Sequence, residues 1–281
     1  MPYNGITNSL FTMKELLILA VTLLTFTESS FSQEKLQIEG AIILQNSEDP
    51  TPATGTIRFN TSTNDFEGYD GNEWLSLTGR PLIGTVADID GNSYSTVKVG
   101  DQIWMSENLR VGRFNDGNTI RELTDVSSWT QTNQPGYAWY NNNETNALTY
   151  GALYNGYVAT HSRNVCPIGW HVPSLAELTI LLDELGGRAV AGGFLKEFGN
   201  EYWEEPNVGG HNSSGMSLRG AGFRSQGDGA FGELRSSTFL WSSSFGPVDG
   251  VMSHFFISQS SATIPLEGDF NDGISIRCLK D

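Results

Sequence analysis

The sequence predicts an α+β protein, turn-rich β structure with one clear helix. Three observations carry this. Thirty-two of the 281 residues are glycine and only 17% are charged, a composition of turns and short strands rather than of a helical bundle. Ser93-Tyr94-Ser95-Thr96-Val97-Lys98-Val99 alternates with period two, and Gly100-Asp101 turns the chain into Gln102-Ile103-Trp104-Met105. Ser174 and Glu177 then have the spacing of a capping box, opening a stretch in which Leu175, Leu178, Leu181, Leu182 and Leu185 share one helical face before Gly186-Gly187 ends it. A hydrophobic fraction of 38% and 11% aromatics suffice for a buried core and exclude a disordered chain.

The first segment reads as an address. Met13-Lys14 gives a basic start, Leu16-Leu17-Ile18-Leu19-Ala20-Val21 and Leu23-Leu24 an apolar stretch, and Ser29, Ser30 and Ser32 a small-residue cleavage region. This is the pattern of a secretory signal peptide over residues 1–32, with Met13 as the true start. The alternatives are an uncleaved anchor or a buried helix. A bilayer span needs roughly 20 apolar residues, so no stable membrane span is expected after cleavage. Export suits the two cysteines, Cys166 and Cys278, which an oxidising compartment would pair; two buried free thiols are the alternative. A formal charge of −16 argues against nucleic acid and against docking on anionic lipid.

Residues 33–80 read as a small β stalk. Ile38 and Ala41-Ile42-Ile43-Leu44 are strand-like, and Pro50-Thr51-Pro52 breaks the run. Gly55-Thr56-Ile57-Arg58-Phe59-Asn60 and Phe66-Glu67-Gly68-Tyr69 follow, with a turn at Asp70-Gly71-Asn72 into Trp74-Leu75-Ser76-Leu77. So short a segment buries little alone and needs a neighbour. It resembles elements of tail-fibre-like surface proteins, which are commonly trimeric, so the resemblance implies a homotrimer through the stalk.

Residues 81–281 read as one domain. Asp88-Ile89-Asp90-Gly91-Asn92 is a β-turn; its glycine is misplaced for an EF-hand and no glutamate closes the loop. Val97 to Leu109, Gly151-Ala152-Leu153-Tyr154-Asn155 and Cys166 to Ser174 (through Trp170) form one ordered set. Gly220-Ala221-Gly222-Phe223-Arg224, Trp241-Ser242-Ser243-Ser244 and Ile274-Ser275-Ile276-Arg277-Cys278 continue it. Together they resemble the Fibrobacter succinogenes major paralogous domain, a family of secreted bacterial modules with a C-type-lectin-like fold. The resemblance implies that mixed fold, with an irregular, loop-rich second half; it defines the biochemical role poorly. A more distant similarity to formylglycine-generating enzymes finds no cysteine pair suited to that oxidation.

The sequence carries no enzyme signature. His161, His171, His211 and His254 make no H-E-x-x-H pair, no G-x-S-x-G elbow exists, and the Gly-Gly steps lack the P-loop lysine. Binding chemistry has better material, because sugar sites combine aromatic rings with amide and carboxylate side chains. Trp139, Tyr140 and Asn141, continuing to Asn146 with Trp129 and Tyr137 upstream, have this mix. So do Trp203, Glu205, Asn207 and Asn212. Glu205-Pro206-Asn207 spells the triplet with which calcium-dependent lectins hold ion and sugar, and Asn271-Asp272 resembles their partner pair. Ca2+ through Glu205, Asn207, Asn271 and Asp272 is therefore an expectation, despite a separation of over sixty residues. Against the sugar reading, Trp139 and Trp203 read first as core or loop-pinning rings. Trp170, Trp241, Arg224 and Arg277 read as structural, the arginines pinning loops through carbonyls or salt bridges. The expectation is a non-enzymatic module at a bacterial surface or outside the cell, binding a glycan or a protein. A structural matrix component is one alternative, and a polysaccharide-acting enzyme using Glu204, Glu205 or Asp228 another.

Overall fold

The computed structural model describes residues 52–60, 65–72, 74–77, 82–248 and 250–281. The chain divides into two units, Met1–Ile43 and Leu44–Asp281. The first unit, with the expected signal peptide, lies outside the described residues, as does the strand expected at 41–44. Among the described residues no helix is long and apolar enough to cross a membrane.

The stalk segment forms a three-stranded antiparallel sheet of β1 (Ile57–Asn60), β2 (Asp65–Tyr69) and β3 (Trp74–Ser76), in the order β1-β2-β3. Its turn is closed by Asp70 Oδ1, which accepts from the Asn72 N–H at 2.7 Å. Alternation gives the sheet two unlike faces. On one, Arg58 pairs with Glu67 at 2.8 Å and lies 3.9 Å over the Trp74 ring. On the other, Phe59 packs on Phe66, while Ile57, Phe66 and Leu77 stay roughly half exposed.

The next strands are β4 (Leu82–Ala87), β5 (Ser93–Val99) and β6 (Gln102–Met105). Then come β7 (Arg121–Glu122), helix α1 (Val126–Thr130), β8 (Gly136–Ala138), α2 (Ala147–Tyr150), β9 (Leu153–Tyr154), α3 (Gly156–Ala159) and β10 (Trp170–His171). Helices α4 (Leu175–Glu184) and α5 (Ala191–Leu195) precede a second half expected to be loop-rich and instead built largely on strands. There lie β11 (Ala221–Arg224), β12 (Phe231–Leu234), β13 (Ser237–Phe245), β14 (Val251–Ile257), β15 (Thr263–Gly268) and β16 (Leu279–Lys280). One five-stranded sheet has the order β10-β16-β6-β5-β4 and the other β12-β11-β13-β14-β15; β7-β8-β9 make a small third. The fold is mixed α+β, with more strand than helix.

Two large apolar cores, with a small third of Leu123, Trp129 and Ala138, take up the buried side chains of the long strands. On β5, Tyr94 enters one core and Val97 and Val99 the other; β6 splits Met105 from Trp104, and β13 splits Trp241 from Leu240. Period-two alternation therefore feeds two cores rather than one core and solvent. The first core holds the disulfide Cys166–Cys278, whose sequence separation is 112. The second holds the leucine face of α4, with Leu178, Leu181 and Leu182 buried against Trp104 and Trp203. The capping box is formed: Ser174 Oγ accepts from the Glu177 N–H at 3.2 Å, and Glu177 Oε2 accepts from the Ser174 N–H at 2.7 Å. Gly186 and Gly187, both at φ +88°, turn the chain out of the helix in a conformation that favours glycine. The last strand closes the domain on its beginning, Leu279 pairing with Trp104.

Candidate functional site

Asp88 builds one wall of a cleft by folding the β4–β5 turn around its own carboxylate. Oδ1 accepts from the Asp90 and Asn92 N–H groups at 2.9 and 3.0 Å. Oδ2 accepts from Asn92 Nδ2 at 2.9 Å and the Tyr94 hydroxyl at 2.6 Å. Asp90 is thereby placed where its Oδ2 accepts from the Gly112 N–H at 2.7 Å and its Oδ1 pairs with Arg113.

The other wall comes from the segment after β8. Asn141 and Asn142 sit at φ 55° and 52°, in the left-handed region that asparagine tolerates better than most residues. Asn143 Oδ1 accepts from the Thr145 N–H at 3.1 Å, and Asn146 Nδ2 donates to the Tyr140 carbonyl at 2.9 Å. The asparagine-rich stretch is thus mostly turn chemistry. Its consequence is to bring Glu144 and Leu148 beside Tyr137 and Trp139.

Asp90, Asn92, Tyr137, Trp139, Glu144 and Leu148 line a cleft of about 460 Å³, a size that suits a small ligand. Among the described residues the Tyr137 hydroxyl makes no hydrogen bond and is not enclosed, and the Trp139 indole N–H likewise has no partner although the residue is only 8% exposed. Gly112 leaves the hydroxyl its room, because a Cβ there would lie 3.2 Å from the Tyr137 oxygen. Burial first, then the charges of Glu122, Asp90 and Glu144, push the Tyr137 phenol up to about 12. The lining cation, Arg110, is committed elsewhere: it donates to Glu107 Oε2 and the Ser93 carbonyl and lies 4.3 Å over the Tyr94 ring. The cleft therefore offers two rings, donors at Tyr137 and Trp139, and an excess of acceptors.

Of the expected binding residues, Trp139 lines this cleft and exposed Asn141 belongs to the turn that shapes it. Tyr140 is buried, its ring 5.4 Å from that of Phe231. Trp203 is 0% exposed and donates its indole N–H to the Leu218 carbonyl at 2.7 Å, so it is a core ring and not a sugar platform. Asn212 is also buried, at φ 51°, closing its loop by hydrogen bonds to Ser217. The sequence reading missed Asp90 and Asn92 as cleft residues. Their signal was present in the Asp-x-Asp-Gly-Asn turn, but only the contact with Gly112 turns it into a wall.

The expected calcium set is not brought together. Asn207 lies at the Ile257 end of β14, where the Val208 N–H donates to the Ser258 carbonyl. Asp272 lies at the other end, near Gly268, which pairs with Val251. The strand between spans on the order of 20 Å. Asn207 Nδ2 donates to the Glu197 and Gly199 carbonyls, Glu205 accepts from Asn200, and Asn271 Nδ2 donates to the Thr130 carbonyl. The enclosed, unpartnered Asn207 Oδ1 supplies one oxygen where calcium takes 6–8. Among the described residues no three His, Cys, Asp or Glu side chains converge as a metal site. These residues do not fit calcium. A lysine ties the loop instead: Lys196, fully enclosed, donates to the carbonyls of Val208, Ile257, Ser258 and Ser260 at 2.9–3.4 Å.

The two buried arginines hold loops. Arg224 donates to the carbonyls of Leu123, Thr124 and Gly229, and Arg277 to Asn108 Oδ1 and the carbonyls of Met216 and Ser217. Trp241 and Trp170 both belong to the first core.

A family model, that of the Fibrobacter succinogenes major domain, matches residues 97–280, well over half the chain. The chain belongs to this family. Neither curated proteins nor solved structures give a match. Within the Fibrobacter succinogenes major domain lie Tyr137, Trp139, Glu144 and Leu148 of the cleft, and both cysteines. Asp90 and Asn92 are supplied by the turn just ahead of the matched residues.

Proposed function

We propose that the protein is an exported, non-enzymatic surface module whose head, C-type-lectin-like in fold, binds a glycan in the cleft between the β4–β5 turn and the segment after β8. The observation that carries this is the pair of unpartnered donors, Tyr137 hydroxyl and Trp139 indole N–H, set among acceptors beside two aromatic rings. A hydroxyl-rich ligand with flat apolar faces satisfies both kinds of surface at once. Family membership supports a surface-associated role. The signal-peptide pattern supports export to the cell surface or medium of a bacterium.

The test is binding of the chain to a broad glycan panel, with Tyr137→Phe as the variant. The hydroxyl has no hydrogen-bond partner among the described residues, so its loss is expected to leave the melting temperature unchanged. It removes one ligand hydrogen bond, worth about 1 kcal/mol or a roughly fivefold loss of affinity. Unchanged glycan affinity in the folded variant contradicts the assignment. Cleavage of a bound oligosaccharide would replace it with the polysaccharide-acting reading.

A second reading concerns the stalk. The half-exposed Ile57, Phe66 and Leu77 on one face of β1–β3 favour self-association, as a homotrimer, with this face as the contact. Light scattering that shows trimers, reduced to monomers in Phe66→Asp, supports it; a monomer at micromolar concentration removes it.

A further inference from the structure

We infer that the cleft selects its glycan by charge, preferring a chain with free amines, such as an N-deacetylated hexosamine polymer, over neutral or acidic sugars. This rests on the glycan reading above and adds the substrate class.

The charges around the cleft are unequal in their freedom. Asp90 and Glu144 both line it, and Glu144 is exposed with no hydrogen-bond or ion-pair partner among the described residues. Both terminal nitrogens of Arg110 are engaged, and Arg113 is held by Asp90. Among the described lining residues an acidic sugar would meet the free carboxylate of Glu144 and no free cation, Asp90 and Arg113 being paired with each other. A protonated amine meets the free carboxylate of Glu144, and its sugar ring can lie against the partly buried Tyr137 ring, where a cation over an aromatic face gains further attraction. The Trp139 indole N–H, unpartnered and not enclosed, and the Tyr137 hydroxyl remain for the ring hydroxyls. A chain of net charge −16 attracts any polycation, so the inference needs a control for charge placed elsewhere.

The experiment is calorimetric titration of the full chain at about pH 6 and about 50 mM salt with four hexasaccharides: β-1,4-glucosamine, β-1,4-N-acetylglucosamine, a neutral glucan and a polyuronate. The glucosamine hexamer is expected to bind about tenfold tighter than its N-acetylated counterpart, with the polyuronate weakest. Glu144→Gln, on an exposed turn, brings that ratio below about threefold. Glu184→Gln, the same charge change on α4, leaves the ratio as it was. Equal affinities, tighter polyuronate binding, or a ratio that survives Glu144→Gln overturns the charge selection. If neutral sugars bind and are weakened by Tyr137→Phe while amines gain nothing, only this inference fails. If no hexamer and no member of the wider panel binds the folded chain, the glycan reading fails and this falls with it.

Discussion

Lys196 shows at the scale of one residue how a single buried cation ties a loop to a strand end. Its ammonium has three protons and four carbonyl acceptors, all inside the protein, with the Trp203 ring 5.4 Å away. Burial pushes its pKa down to about 8, so it still carries charge at neutral pH. Lys196→Met leaves four carbonyls without that donor and is expected to cost about 3–5 kcal/mol in chemical denaturation. EDTA is expected to leave the wild-type midpoint where it was; a shift on chelation would restore the calcium account of the loop. His254 is a second buried group with a measurable consequence. It is 1% exposed, its Nε2 has no partner, and burial, with the charge of Arg188, lowers its pKa to about 4. The unfolded chain binds this proton below about 6.5 and the folded chain only below about 4. Stability from this group is therefore complete above pH 6.5 and lost as pH falls toward 4, by about 3 kcal/mol. Denaturant titrations at both pH values check it: His254→Gln is expected to flatten that part of the profile, and an equal pH slope in the variant contradicts the assignment.

Elements differ in how far the sequence reveals them. Helix α4 was legible because its cap, its leucine spacing and its glycine stop lie within fourteen consecutive residues. Ser174→Ala is accordingly expected to cost about 1 kcal/mol, read from the denaturation midpoint. The β4–β5 turn was legible as a turn because Asp88 and Asn92 bond locally. Its part in the cleft was not, since Asp90 reaches Gly112, twenty-two residues on. The Trp203 stretch has the same residue types as the Trp139 stretch. What separates them is tertiary: Trp203 closes over the leucines of α4 inside the second core, whereas Trp139, itself buried in the first core, also borders the cleft at the end of β8. The Glu-Pro-Asn triplet misleads for the same reason, because three letters specify a local shape and not the partner that β14 holds at its far end.

Over the whole molecule, the two ends of the domain meet, with β16 inserted between β6 and β10 and Cys278 bonded to Cys166. Closing so long a loop stabilises the fold by about 4–5 kcal/mol in the chain-entropy model. The double variant Cys166→Ala, Cys278→Ala is expected to lose that much in denaturant, and an unchanged midpoint contradicts it. The mixed class and the family were legible from ordered motifs spread over the chain; the two-core arrangement was not, because alternation alone does not say what covers the second face. The central claim is that the cleft beside Trp139 holds the ligand. Its most direct measurement is the indole N–H region of a proton–nitrogen NMR spectrum of the chain, titrated with the tightest-binding member of the glycan panel, with Trp139 assigned by Trp139→Phe. The account predicts that the Trp139 signal moves on binding while that of enclosed, bonded Trp203 does not. A ligand that binds and shifts Trp203, or leaves Trp139 still, contradicts it.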